Sequence, residues 1–187
     1  MLPNATSLPT LLTERLALRW LTVADAPALY EIFSDPDVTR YWSSPPLADR
    51  QAAEALLAEI HELFDRRSLL QWGIARRSDD LVVGTCTLAA LAPAHRRAEI
   101  GFALGSRHWR QGYAAEALPA LVDFAFGELG LHRLEADADP RNHASIRALE
   151  RLGFQREGYL RERYHMNDEI QDAIMYGLLR RDWRPRQ

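Results

Sequence analysis

A single cysteine, Cys86, stands in the 187 residues, so no internal disulfide can form and a reducing cytoplasm is the expected compartment. No uninterrupted apolar run approaches the roughly 20 residues that a membrane span requires. The N-terminus lacks a basic segment followed by an apolar stretch, so neither an anchor nor a cleaved leader is expected. Fixed-period repeats, low-complexity tracts and Gly/Ser-rich linkers are missing too, and at this length one domain with a sizeable core is expected. Basic charge is scattered and the formal net charge is −3, which argues against broad nucleic-acid binding, where clustered basic residues must neutralise phosphates. The six histidines show no His-x-x-x-His spacing and there is no Cys-x-x-Cys, so no metal site is expected. A Gly-Lys-Ser/Thr phosphate loop and a dinucleotide-binding glycine pattern are likewise lacking. With no histidine at an informative position beside it, Cys86 between Thr85 and Thr87 reads as core, which argues against a covalent cysteine mechanism.

What is present is patterned. Residues 1–12 read as a loose lead-in. Leu16, Leu18 and Trp20 alternate with Arg15, Ala17 and Arg19, the period of a half-buried strand. Thr22 and Asp25 stand at capping-box spacing before Leu29, Ile32 and Phe33, which predicts a helix near 23–34. Asp49 can cap a second helix, along which Ala53, Leu56, Leu57, Ile60, Leu63 and Phe64 form one apolar stripe. Apolar runs at 70–76, 81–91 and 98–104, separated by short polar segments such as Ser78-Asp79-Asp80, read as consecutive antiparallel strands. Gly112 then opens an alanine-rich helix to Phe126, followed by a strand at 131–137 and a short helix at 143–151. Strands near 154–164 and 170–179 flank the turn-like Asn167-Asp168-Glu169. Pro119 falls inside the 112–126 helix and predicts a kink or a late helix start. Trp72 and Trp183 read as structural.

The most informative stretch is Glu99-Ile100-Gly101-Phe102-Ala103-Leu104 followed by Trp109-Arg110-Gln111-Gly112-Tyr113-Ala114-Ala115-Glu116, a strand feeding a turn that opens a helix. Gly112 lets the backbone approach a ligand closely. The unpaired N–H groups and positive dipole end of the helix suit a pyrophosphate, a geometry that fits coenzyme A. The alternative is a glycine that simply begins a helix.

On these residues the segment resembles the acetyl-CoA loop of the GNAT superfamily of N-acetyltransferases, and in particular its Rim branch of ribosomal-protein N-terminal acetyltransferases. Glu14-Arg15-Leu16-Ala17-Leu18-Arg19, Asn142-His143-Ala144-Ser145 and Leu152-Gly153-Phe154 fall in the order that branch uses, and the resemblance covers about residues 12–183. It implies a single α/β (α+β) domain: a mixed, mostly antiparallel seven-stranded sheet, splayed between its fourth and fifth strands, with helices on both faces and acetyl-CoA in the splay. It further implies that backbone amides of Arg110, Gln111, Gly112, Tyr113 and Ala114 hold the pyrophosphate. Phe102, Ala103 and Leu104 would pair with the pantetheine arm, and Asn142 would hydrogen-bond it. Trp109 stands where the superfamily loop often has Gln or Arg, as is usual in the Rim branch. Leu149 stands where many members carry a Tyr that protonates the leaving thiolate.

Ser145, which the resemblance places near the sulfur, is the candidate for that acid; its alternative is a first-turn residue of a helix capped by Asn142. Glu99 is the candidate general base, acting directly or through a water, with a solvated strand-end carboxylate as the alternative. Tyr41 and Trp42, next to Ser43-Ser44-Pro45-Pro46, would border the acceptor groove or pack on the core. The expected partners are acetyl-CoA and an amine acceptor, foremost a protein or peptide N-terminal α-amine. A small amine (polyamine, amino acid or aminoglycoside) and a non-catalytic acetyl-CoA-binding module are the rivals. A cationic small acceptor favours an acidic groove, for which Glu31, Asp35 and Asp37 on one side and Glu157, Glu162 and Asp168 on the other are available, with solvated surface charge as their default. Monomer and homodimer are both open.

Overall fold

The computed structural model describes residues 5–42, 44–166 and 169–184. In chain order these hold β1 (Leu11–Leu12), β2 (Leu16–Arg19), α1 (Ala26–Phe33), α2 (Pro36–Thr39), α3 (Arg50–Asp65), β3 (Leu69–Arg76), β4 (Val82–Ala92), β5 (Arg97–Leu104), α4 (Tyr113–Gly127), β6 (Arg133–Ala138), α5 (His143–Arg151), β7 (Gln155–Met166) and β8 (Glu169–Leu179). The strands form one sheet in the order β1-β2-β3-β4-β5-β6-β8-β7. All neighbours are antiparallel except β5 and β6.

Local chemistry sets most of these boundaries. The Asp25 carboxylate accepts from the Thr22 N–H (2.7 Å) and hydroxyl (3.1 Å), and a 3₁₀ turn over Val23–Asp25 precedes α1, so the helix proper begins at Ala26. Arg19 pairs with the same carboxylate at 2.8 Å and ties β2 to this corner. Asp49 caps α3 by accepting from Ala52 N–H at 2.8 Å, and Ala53, Leu57, Ile60 and Phe64 face inward along one stripe.

Two expectations need correction. The sheet has eight strands rather than seven, because Leu11–Leu12, read as part of a loose lead-in, pairs with β2. The turn is closed by Thr13, whose N–H donates to the Leu16 carbonyl at 2.9 Å while its hydroxyl accepts from Leu16 N–H at 3.0 Å. Two residues are too short for an alternating pattern to register. Pro119 does not delay the helix: α4 runs unbroken from Tyr113 with Pro119 buried inside it. The carbonyl four residues back belongs to Ala115, an exposed position, where water can replace the missing partner. Of the turn read between the last two strands, Asn167 and Asp168 lie outside the described residues.

Two apolar clusters cover opposite faces of the sheet. Leu118, Leu121 and Val122 of α4 and Leu149 of α5 pack with Trp72, Leu88 and Leu134. Leu29 and Ile32 of α1 and Leu57 and Ile60 of α3 pack with Ala75, Val82 and Ala103. Each fully buried leucine stabilises the fold by about 1.5–3 kcal/mol. Trp72 Nε1 donates to the Pro9 carbonyl at 2.9 Å and Trp183 Nε1 to Asp123 at 2.6 Å, so both are structural, as expected. Cys86 is wholly buried, and burial pushes its thiol far above the usual range, which suppresses the nucleophilic thiolate.

The feature that makes a site is the parallel pair. β5 and β6 are in register only at Arg97↔Arg133, Ala98↔Leu134 and Glu99↔Glu135. Beyond Glu99, β5 continues to pair with β4 as far as Leu104↔Gly84, so its edge toward β6 has no strand partner.

Candidate active site

The opening between β5 and β6 is a groove of about 1100 Å³. Phe102, Ala103 and Leu104 line it along the free edge of β5. Trp109, Arg110, Gly112, Tyr113 and Ala114 line it from the turn that opens α4, and Asn142, Ser145 and Leu149 from α5. Gln111 is turned away: its side-chain amide donates to the Arg107 carbonyl at 3.0 Å, and its own carbonyl accepts from Arg15 at 3.1 Å. Trp109 is half exposed and donates from Nε1 to the Leu104 carbonyl at 2.7 Å, pinning the loop to the end of β5.

The loop is held open by unusual backbone. Arg110 and Gly112 have φ of +61° and +82°; for Gly112 this left-handed conformation costs nothing, whereas a Cβ there would be strained and would stand 3.3 Å from the Arg15 guanidinium. A three-part clamp lies behind the loop. The Glu116 carboxylate accepts from Thr13 Oγ1 (2.6 Å), Arg15 N–H (2.7 Å) and Arg15 Nε (2.7 Å). The Arg15 guanidinium lies 5.1 Å over the Tyr113 ring. Burial pushes the Glu116 pKa up, but these hydrogen bonds outweigh it and hold the carboxyl below its ordinary range.

Asn142 caps α5, its Oδ1 accepting from Ser145 N–H at 3.2 Å. The Ser145 side chain is half-buried and lines the groove, and its hydroxyl has no partner among the described residues. Leu149 is 1% exposed and packs into the core at the wall of the groove.

Glu99 stands in the groove where β5 and β6 part. Desolvation by the groove walls, with the like charges of Asp137 and Glu135, raises its pKa against the opposing Arg97 and Arg163. Tyr41 and Trp42 also reach the groove. Trp42 packs on Phe33 at 5.4 Å, so the core-packing alternative holds for it as well. Tyr41 lies between two guanidiniums, Arg40 at 5.4 Å and Arg141 at 5.6 Å. Of the acidic residues named from sequence, Asp37 lines the groove, Glu31, Asp35, Glu157 and Glu162 do not, and Asp168 is outside the described residues. Besides Glu99 and Asp37, the carboxylates that line it are Asp137, Asp139 and Asp172. Asp139 is held low by its bond to Arg141, which also pairs with Glu169. Tyr164 lines the same end, its phenol raised by burial and the Asp137 carboxylate. Sequence reasoning missed these residues because the chain distances that separate them carry no local pattern.

The acetyltransferase (GNAT) domain family matches residues 15–155. The chain belongs to the GNAT acetyltransferase family. As a GNAT member it is an acetyl-CoA-dependent N-acetyltransferase. Among relatives, the uncharacterized N-acetyltransferase p20 of Bacillus licheniformis is 38% identical over 174 residues, 93% of this chain and 98% of that protein. The spermidine N(1)-acetyltransferase of Escherichia coli K12 is 27% identical over 158 residues, 84% of this chain and 82% of that protein. A Vibrio cholerae structure assigned as a ribosomal-protein-serine acetyltransferase superposes with a TM-score of 0.81 at 28% identity, covering 91% of this chain and 97% of that one. The GNAT groove here fits a coenzyme A thioester: it offers an unpaired strand edge to an amide-bearing arm and positive-φ loop amides to phosphate.

Proposed function

We propose that this GNAT enzyme acetylates the α-amine of a protein or peptide N-terminus, in keeping with the Rim branch. The observation that carries this reading is the shape of the groove past Glu99. It runs on to a rim that includes Asp37, Arg40, Tyr41 and Arg141, of which Asp37, Arg40 and Arg141 are exposed, and so leaves room for a chain that continues beyond the amine. The similarity to the Vibrio cholerae structure supports it.

Bound acetyl-CoA supplies the thioester whose carbonyl the acceptor amine attacks directly. Backbone amides of Arg110 to Ala114 hold the pyrophosphate, and Phe102, Ala103, Leu104 and Asn142 align the pantetheine arm, so the reacting groups meet with little entropy left to lose. A β5 amide near Ala103 or Leu104 stabilises the negative charge that develops on the carbonyl oxygen. Glu99 takes the proton from the ammonium, directly or through a water. A carboxylate with a raised pKa suits an α-amine, whose pKa of about 7.7–8.0 lies far below the roughly 10.4 of a lysine. Ser145 Oγ, lacking a protein partner, is placed to give a proton to the departing sulfur.

A small cationic amine is the second reading, favoured by the groove carboxylates Glu99, Asp137 and Asp172 and by the spermidine acetyltransferase relative. Incubation with acetyl-CoA and a mixed panel, short peptides beginning with Ser, Ala or Thr beside polyamines, amino acids and aminoglycosides, separates the two by mass spectrometry. Acetylated peptide α-amines are expected. Acetylated small amines with untouched peptides overturn the N-terminal reading.

A further inference from the structure

The edge strand β7 does not keep one register against β8. Tyr159↔Ile174 and Leu160↔Ala173 are successive pairs, and pairing resumes at Tyr164↔Gln171, so Arg161, Glu162 and Arg163 stand against Asp172 alone. Continued unbroken, the first register would set Glu162 opposite Gln171. The bulge sets Tyr164 there instead. Gln171 and Tyr164 both line the groove, whereas Glu162 is exposed and does not. The chain therefore shows the groove a phenol where an unbulged strand would show a carboxylate.

Such a bulge carries a backbone cost. Glu162 has a φ of +54°, a left-handed conformation that a side chain disfavours and that persists only where the surroundings hold it. Asp172 is what holds it. Its Oδ1 accepts from the Glu162 N–H at 2.7 Å and its Oδ2 from the Tyr159 hydroxyl, so one side chain grips the bulge at its centre and the strand just before it. These two bonds keep the Asp172 carboxyl below its ordinary range. The bulge also reaches the groove's charges. The Tyr164 phenol bears on the Asp137 carboxylate, and Arg163 is close enough to oppose the rise in the Glu99 pKa. Bulges beside active sites commonly re-aim a side chain in this way. We infer that Asp172 is a positioning residue for the acceptor: by pinning the β7 bulge it keeps Tyr164 in the groove and Glu162 out of it. Its carboxylate acts through the bulge and not on the acceptor ammonium. This rests on the reading that the acceptor amine enters past Glu99.

Variants of the full-length enzyme test it. Asp172→Asn keeps an oxygen for the Glu162 N–H and a polar group for the Tyr159 hydroxyl; Asp172→Ala keeps neither. Hydrogen exchange read by mass spectrometry should show the segment around Glu162 losing protection in Asp172→Ala and keeping it in Asp172→Asn. That result does not depend on how the acceptor enters, and unchanged protection in Asp172→Ala overturns the pin outright. In steady-state kinetics on those peptides and small amines that the wild type acetylates, Asp172→Ala should raise the acceptor KM by about three- to tenfold, the scale of one or two partly solvated hydrogen bonds. The calorimetric affinity for coenzyme A should stay unchanged. Asp172→Asn should bring the KM back to within about twofold of the wild type, since it can remake both bonds. Adding Glu162→Gly to Asp172→Ala should recover part of the loss, because glycine adopts a positive φ freely. An Asp172→Asn enzyme as impaired as Asp172→Ala means that the charge itself meets the acceptor, and overturns the positioning role. Lost protection with a wild-type KM overturns it too, while leaving the pin in place. Should Asp172→Ala fail to fold, Tyr159→Phe removes one of the two donors and decides the matter: a raised acceptor KM supports the role, and an unchanged one overturns it.

Discussion

Replacing Glu116 by glutamine tests whether the pyrophosphate loop is shaped from behind. The carboxylate holds three donors, Thr13 Oγ1, Arg15 N–H and Arg15 Nε, at 2.6–2.7 Å. Bonds to a charged group contribute about 1.5–3 kcal/mol each when fully sheltered, but the Arg15 side chain is 50% exposed and Glu116 17%. Glutamine also keeps one acceptor, so a net cost of about 1–2 kcal/mol is expected. For a chain of this size that is roughly a 3–6 °C fall in Tm. Because the folded carboxyl is held below its ordinary range, its charged form contributes stability above the unfolded pKa of about 4.3, and this is lost as pH falls through the lower folded value. The Tm gap between wild type and Glu116→Gln should therefore be widest near neutrality and narrow on acidification below pH 4. The cofactor effect follows from the same contacts. Arg15 Nη1 fixes the Gln111 carbonyl at 3.1 Å; the planar trans peptide then aims the Gly112 N–H the opposite way, toward the groove that Gly112 lines. Slackening Arg15 should weaken coenzyme A binding by about 3–10-fold, or roughly 0.7–1.4 kcal/mol, with the KM for the amine unchanged. A lowered Tm with unaltered calorimetric affinity for coenzyme A refutes the idea that the clamp orients the loop.

Glu99→Gln should lower kcat by about a hundredfold at neutral pH, with activity recovering as the pH rises past the acceptor amine's own pKa. Since the Glu99 pKa is raised, the wild-type kcat/KM should climb on its acid side at higher pH than an ordinary carboxylate allows, and a profile shared by both enzymes removes Glu99 as the base. Ser145→Ala should reduce kcat without changing coenzyme A affinity, because the Ser145 N–H that donates to Asn142 stays in place; unchanged turnover in a single-turnover assay takes its hydroxyl out of the mechanism. Leu149→Tyr should cost about 1–3 kcal/mol by overpacking a site that is 1% exposed, with no gain in turnover, and a faster enzyme at unchanged Tm would show that the thiolate lacks an acid only for want of that ring.

Elements built from local rules were legible in the sequence, and elements defined by distant partners were not. The α3 stripe, the Asp49 cap and the Asn142 cap follow from spacing alone, and the structure has them. β1 was missed because its two residues are a strand only by virtue of pairing with β2. The late helix start expected from Pro119 did not occur, because its penalty depends on where the orphaned carbonyl points, which no linear reading supplies. The loop from Trp109 to Glu116 was found by its glycine and its family pattern, but the meaning of Glu116 within it was not, since its donors Thr13 and Arg15 lie 103 and 101 residues away.

The same limit explains the acidic side of the groove. Glu31, Asp35, Glu157 and Glu162 were available as carboxylates for an acidic groove, with solvated surface charge as their default, yet Asp35 is occupied in capping α2, where it accepts from Asp37 N–H at 2.9 Å, and Glu157 in pairing with Arg133. Asp137 faces the groove because β6 leaves its parallel register with β5 after Glu135, exposing the next strand positions instead of pairing them. One topological event, the parting of two parallel strands, therefore does three things at once: it leaves the β5 edge without a strand partner, opens the space that α4 and α5 border, and brings Glu99 and Asp137 to one groove. A sequence can announce the loop proposed to bind the cofactor, because that loop is contiguous. The proposed acceptor site is assembled by the splay, and the choice between a peptide terminus and a small amine turns on groove residues, such as Asp37, Glu99, Asp137 and Asp172, that are far apart in the chain.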